Sequence, residues 1–411
     1  MFLLVAALSM LVPFAGFFLT IAYFNQYKRP ISSALLCGLV FSAAMYGYIP
    51  DEGNDIFRHM ENMLYYEGIP LWDAFDLLKT DISHISAVYT WDLWLWLVAQ
   101  FGTPELLQSS GAFVGYSITS YMVFDYACIN KLPLKKWFPL LLAFLAFTSP
   151  TNLAIGIRNG NAFLICILAF YRFYIKNAGK ISTALLLLTA FFLHHSVIII
   201  LGLWLAFPFL IRFRFLSLIM IVIGLATFSN YENYLYLLTG GSTDTSGIIS
   251  STMYSATAYK NADFNNSAHA VVDLIWRLWG AGFLLWLSKK TISSFHKATD
   301  DIKLQWEYRF FYLALLLYVI SVTLVPLIGN NGMRFINAVY LLCLIILMRK
   351  DSFPLLSRNG TFHISTILLV LTCLGNVVFY AYNMNWGTGS FMSFIWGSLL
   401  GYTARILLYL P

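Results

Sequence analysis

The residues best equipped for chemistry are Arg58, Arg158, Arg334 and the pair His194-His195; all but Arg58 lie inside or at the edge of long apolar runs. A guanidinium is planar, permanently charged and able to hold two oxygens of an anion at once. In hydrocarbon it costs roughly 2.5 to 3.5 kcal/mol even on the mildest insertion scale, so a compensating anionic group is expected. An imidazole beside it titrates near neutrality and can serve as a base or a phosphate contact. Together these residue types fit the handling of an anionic headgroup.

The elements that must position them are helices of a membrane protein. Hydrophobic residues make up 59% of the 411, charged residues 11%, and mean hydropathy is +0.72. That balance excludes an ordinary soluble domain. Apolar runs of about 20 residues, enough to cross about 30 Å of hydrocarbon, recur along the chain. The expected class is all-α and polytopic, with about 12 to 13 crossings in a single membrane domain over 1–411. The five cysteines, Cys37, Cys128, Cys166, Cys343 and Cys373, lie within apolar runs and read as core filling. No Cys/His spacing marks a metal, and no metal or cofactor is expected.

The net charge of +6 marks sidedness rather than an acidic partner, and no nucleic-acid partner is expected. Basic residues cluster at Lys28-Arg29, Lys131 with Lys135-Lys136, Arg172 to Lys180, Arg212 with Arg214, Lys289 to Arg309, and Arg349 to Arg358. These are cytoplasmic by the positive-inside rule. The acidic stretch 51–105 and the Ser/Thr/Asn/Tyr-rich stretch 231–268, with Tyr254, Tyr259 and Phe264, become external loops.

Threading helices through these anchors gives spans near 2–24, 31–50, 106–128, 137–151, 153–174, 181–194, 196–211, 215–230, 269–288, 308–328, 334–349 and 361–382. The first is read as a retained helix whose start faces outward, because no basic n-region precedes it. Residues 89–101 are read as an external interfacial or re-entrant helix, with Trp91, Trp94 and Trp96 at headgroup level; residues 391–410 are a further span or an interfacial helix. No internal repeat of the transporter kind is evident. Spans 181–194 and 196–211 total about 31 residues, or roughly 46 Å of helix where two crossings need about 60 Å. They are expected to form a shallow hairpin with His194, His195 and Ser196 at its tip, below the outer surface.

On this topology Arg158 lies about six residues into a helix that begins near Asn152, roughly 9 Å deep, and Arg334 opens a helix after Gly329-Asn330-Asn331-Gly332, where the helix N-terminus favours an anion. Arg58 follows Asp55 by three residues, one face of a helix. Each has a plainer reading. Arg158 could pair with Asp92 or cap carbonyls, Arg334 could meet lipid headgroups, Arg58 could be an ion pair with Asp55, and one of the two histidines could be a core residue. Arg277, four residues after Asp273, is explained by an ion pair.

Four motifs in order, Asp55-x-x-Arg58-His59, Ile157-Arg158-Asn159-Gly160-Asn161-Ala162, Leu193-His194-His195-Ser196 and Arg334-Phe335-Ile336-Asn337-Ala338, resemble the EpsG family of Wzy-type exopolysaccharide polymerases. The likeness runs from about Met1 to Lys350. The family usually carries a large aromatic after the loop arginine, where this chain has His59. The resemblance implies a GT-C-like fold with an outward-facing cavity in a bacterial cytoplasmic membrane, its active site on the periplasmic or exterior side. It implies transfer of a glycan from polyprenyl pyrophosphate to the non-reducing end of another lipid-linked repeat unit. Donor and acceptor lipid-linked oligosaccharides and membrane lipid are the implied partners, along with a flippase and a chain-length regulator of the same route.

Breaking a sugar C1–phosphate bond builds negative charge on pyrophosphate, and preorganised donors placed there supply a large catalytic contribution. Arg158 and Arg334 are then the leaving-group clamps, with Arg58 assisting. His194 is the base or another phosphate contact, Asp55 a competing base, and His195, Asn159 and Asn337 are substrate contacts. The reaction is metal-independent, since the donor bond already holds the energy. An O-antigen-type ligase, another GT-C glycosyltransferase using a monophosphate donor, and a lipid-linked oligosaccharide flippase remain as alternatives.

Overall fold

The computed structural model describes residues 1–48, 55–74, 89–154, 156–212, 219, 268–296, 303–328, 334–348 and 364–383. Among them every element is helical, which is the all-α class expected. The helices are α1 (Phe2–Leu11), α2 (Pro13–Tyr27), α3 (Pro30–Tyr46), α4 (Asp55–Leu64), α5 (Tyr89–Ala99), α6 (Glu105–Ile129), α7 (Leu134–Phe147), α8 (Pro150–Ala154), α9 (Ile157–Tyr174), α10 (Lys180–Leu193), α11 (Val197–Leu205), α12 (Phe207–Arg212), α13 (Ala268–His296), α14 (Lys303–Ile328), α15 (Ile336–Leu347) and α16 (Ile364–Asn383). The expected span 215–230 apart from Ile219, the loop 231–268 apart from Ala268, and the tail 391–410 lie outside the described residues.

The chain divides into two compact units. The first comprises Met1–Ala74, Tyr89–His194 and Met348–Pro411; the second comprises Phe75–Val88 and His195–Leu347. Among the described residues no helix is long and apolar enough to cross a membrane.

In the first unit the expected opening span, 2–24, is two helices rather than one. Pro13 lacks an N–H and starts α2, and Val12 breaks from helical geometry at φ −136° and ψ 81°. The two halves fold back on each other. Gly16 lies so close to Ser9 that no side chain would fit there, and the rings of Phe2 and Tyr23 meet edge-on at 6.2 Å. The start of the chain therefore stands at the Lys28-Arg29 end of the hairpin, which corrects the expectation that it faces the opposite way.

α3 and α6 run antiparallel and pack along their length. At one end the Lys28 carbonyl accepts from Cys128 Sγ at 3.4 Å, and buried Asp125 accepts from Lys176 Nζ and from the Tyr171 hydroxyl, both at 2.9 Å. At the other end Gln108 Nε2 donates to the carbonyls of Met45 at 3.0 Å and Tyr48 at 2.6 Å. About 25 Å of α6 separates Gln108 from Asp125 at helical rise. The basic clusters at residues 28–29, 131–136 and 172–180 thus share one end of this unit, as the charge pattern predicts.

α16 turns an apolar face outward over buried polar groups. α16 buries Thr366, Thr372 and Asn376 while Ile364, Ile367, Val370, Leu371, Leu374 and Val378 face outward. α6 likewise buries Gln108, Ser109, Thr119, Ser120 and Asp125. Two of the hydroxyls are met within their own helix: Thr119 Oγ1 donates to the Gly115 carbonyl at 2.9 Å and Thr372 Oγ1 to that of Leu368 at 2.7 Å.

In the second unit α15 is buried along most of its length and packs against α13 and α14. The Tyr340 hydroxyl donates to the Arg277 carbonyl at 3.0 Å, and Ser288 Oγ to that of Cys343 at 3.5 Å. These two contacts make α13 and α15 parallel, so Arg334 is at the end away from Lys289-Lys290. Tyr312 on α14 donates to the Leu210 carbonyl at 3.3 Å and packs with Phe207, which Arg309 covers at 5.4 Å.

Candidate anion site

Arg158 is placed by a break in the chain. Expected about six residues into a helix beginning near Asn152, it instead stands in the first turn of α9, because α8 is a separate five-residue helix. Ser149 Oγ accepts the Asn152 N–H at 3.2 Å and so caps α8. Gly160 allows the Asn152 carbonyl to lie against α9, where any side chain would collide with that backbone. The expected depth of roughly 9 Å is therefore replaced by a position at the helix start.

From there the Arg158 guanidinium reaches over the ring of Trp91 on α5, its Cζ 5.7 Å from the centroid. This is a cation–π distance. His59 on α4 meets the same ring, with centroids 4.8 Å apart and planes inclined at 66°. Trp91 is 2% exposed and His59 is 5% exposed, so the Trp91 ring is a buried platform. Trp94 Nε1 donates to Ser110 Oγ at 2.7 Å and Trp96 Nε1 to the Ile69 carbonyl at 2.8 Å, tying α5 to its neighbours.

The electrostatics follow from this packing. Burial, reinforced by the Arg158 charge and more weakly by Arg58, pushes the His59 imidazole down to about 3, with Asp55 opposing. His59 is therefore neutral at pH 7, and its Nδ1 is buried without a hydrogen-bond partner. Asp55 and Arg58 form the expected one-face pair, Oδ1 to Nη2 3.1 Å, with the Arg58 side chain 61% exposed. Arg58 is thus an ion-paired residue at the edge of the cluster.

Asn159 and Asn161 are interior. Asn159 is 5% exposed, and Asn161 Nδ2 donates to the Ile157 carbonyl within its own helix at 2.9 Å. His194 ends α10 in extended geometry, φ −158° and ψ 121°, its N–H bonded to the Ala190 carbonyl at 3.0 Å. α10 follows α9 after a short turn and packs along it and against α5, which returns His194 to the end of α9 where Arg158 stands. The first unit therefore gathers Asp55, Arg58, His59, Trp91 and Arg158 locally, with His194 at the same end.

The break at residues 194–196 is present as expected, and the division of the chain falls between His194 and His195. In the second unit the His195 carbonyl accepts the Ile198 N–H at 2.9 Å. Arg334 is half-buried in a turn, two residues before α15 rather than at its first position. Asn337 Nδ2 donates to the Arg334 carbonyl at 3.5 Å and so braces that turn. The side chain of Asp273, expected to pair with Arg277, lies outside the described residues, as do Tyr254, Tyr259 and Phe264.

Sequence reasoning missed the parts played by Trp91 and His59. His59 was visible as a departure from the motif pattern, but α5 carries three tryptophans within six residues and nothing in their spacing says which faces inward. Among the described residues no three His, Cys, Asp or Glu side chains come together to hold a metal ion. What the cluster offers is a charged planar donor held on a ring, a neutral imidazole and an exposed ion pair, the ingredients of an oxyanion site. Comparison with known proteins finds no matching family model, no matching curated protein and no matching solved structure.

Proposed function

We propose that the chain is a polytopic membrane glycosyltransferase that polymerises polyprenyl-pyrophosphate-linked oligosaccharide repeat units at the outer face of a bacterial cytoplasmic membrane. The observation that carries this reading is the cluster of Arg158, Trp91 and His59, at the end of its unit away from the basic residues. A guanidinium held there meets a diphosphate at the headgroup level of the non-cytoplasmic side. Arg334, likewise at the end of its own unit away from Lys289-Lys290, is assigned the same kind of contact.

The membrane reading draws support from the composition, from the apolar face of α16 turned outward over buried polar groups, and from the roughly 25 Å of α6 between Gln108 and Asp125, close to hydrocarbon thickness. Since no described helix is long and apolar enough alone, the crossings are proposed to be composite, with more than one helix contributing to a pass. Their free backbone ends are covered by protein, as hydrocarbon requires.

In the proposed reaction the non-reducing-end hydroxyl of the acceptor glycan forms a bond to C1 of the donor sugar, and the C1–oxygen bond to pyrophosphate breaks. The polyprenyl pyrophosphate leaves with the electron pair, and the hydroxyl proton passes to a base. Arg158 and the more exposed Arg58 stabilise the leaving charge, while His194 takes the proton. His59, neutral and buried, is unsuited to that role because its Nδ1 is closed off from solvent.

The test is purified protein in lipid with a synthetic polyprenyl-pyrophosphate repeat unit, products resolved by size. A ladder of lengths is expected. Folded protein that yields no product overturns the enzyme, and a single transfer to a lipid-A-type acceptor alone would make it a ligase.

A further inference from the structure

Arg158 has a long, flexible side chain at the start of a helix, and nothing in the sequence says what fixes its direction. The structure supplies a candidate in Trp91. The ring is 2% exposed, so it contributes almost nothing to the surface, yet the guanidinium lies 5.7 Å from its centroid. α5, which carries the ring, packs against α4, α6 and α10, and the indoles of Trp94 and Trp96 anchor it through Ser110 and the Ile69 carbonyl. The ring is therefore a fixed surface. His59 closes against it at 4.8 Å, which limits tilting toward α4.

We propose that Trp91 is a positioning residue: its face holds the Arg158 guanidinium in the orientation in which it meets the diphosphate of the lipid-linked substrate. This rests on the function proposed above. An aromatic face attracts a guanidinium through its quadrupole and so restricts where the charged group can lie. The neighbouring His59 adds no competing charge while its imidazole is neutral, and of the other charged groups near it, Asp55 and Arg58 are engaged with each other at 3.1 Å. Holding the side chain in place before substrate arrives lowers the ordering cost of binding.

The test keeps the shape of the residue and changes only its electrostatics. Trp91 is replaced site-specifically by mono-, di- and trifluorotryptophan in the full chain in lipid nanodiscs, and inorganic pyrophosphate binding is measured by calorimetry beside Arg158→Ala. Affinity is expected to fall stepwise along the fluorine series, by roughly three- to tenfold in total, the range of a desolvated cation–π contact. Because the ring volume is nearly constant, a purely structural role predicts a flat series. A flat series with binding that Arg158→Ala still weakens overturns the positioning role and leaves the proposed function standing. Binding untouched by Arg158→Ala overturns both.

Discussion

His59 meets Trp91 edge to face, ring centroids 4.8 Å apart, and is buried there in the neutral form, its imidazole pushed down from 6.5 to about 3. In the unfolded chain the same group takes up a proton near its ordinary value. Below pH 6.5 the unfolded state therefore binds a proton that the folded state refuses, and stability falls as pH drops toward 3. The slope is about 1.4 kcal/mol per pH unit while that difference lasts. Chemical denaturation across pH 4 to 8 should show this acid arm, and His59→Phe, which cannot titrate, should flatten it.

Arg158→Ala should lower polymer synthesis by about 100-fold or more, the loss seen when one preorganised donor is removed from a developing oxyanion. Arg158→Lys should recover only part, since an ammonium lacks the planar fork. Initial rates with a synthetic donor decide this, with folding followed separately. Equal rates for all three proteins would remove Arg158 from the chemistry.

At the opposite end of the same unit, Asp125 accepts from both Lys176 and Tyr171. Asp125→Ala should cost about 1 to 3 kcal/mol by stranding a buried hydroxyl, and Asp125→Asn less, because its side-chain oxygen still accepts. Neither should change turnover at a permissive temperature. A thermal melt in detergent reads the first effect and an initial rate the second.

The backfolded start of the chain can be tested by cross-linking. In a background freed of native cysteines, Phe2→Cys with Tyr23→Cys should be bridged by a short bifunctional thiol reagent, since the native rings at these positions meet with centroids 6.2 Å apart. A single continuous helix would hold these positions about 31 Å apart and give no cross-link.

Gly160→Ala should impair activity more than an exposed helical alanine would, because the added carbon meets the Asn152 backbone and must shift the first turn of α9. A loss of about 1 to 3 kcal/mol in stability is expected from such overpacking. Recovery of stability without recovery of rate at low temperature would locate the defect in Arg158 rather than in the fold.

The amino-acid sequence alone determined the all-α class, because apolar runs of helical length separated by charged turns leave no other economical way to satisfy the backbone. It determined which basic residues share an end, since charge anchors repeat with each helix; the Lys28, Asp125 and Lys176 contacts follow that pattern. It also located the break at 194–196 and the Asp55–Arg58 pair, both of which depend only on local spacing. The tertiary structure decided the rest. Pro13 announces a break but not its direction, and only the close approach of Gly16 to Ser9 shows the chain doubling back. α8 and α9 look continuous in composition, whereas in the structure they are separate helices and Gly160 lets the Asn152 backbone lie against α9. Which of three tryptophans turns inward depends on contacts between α5 and residues far away in sequence. The burial of His59 and the placing of Arg158 over Trp91 are long-range packing, and no local pattern encodes them.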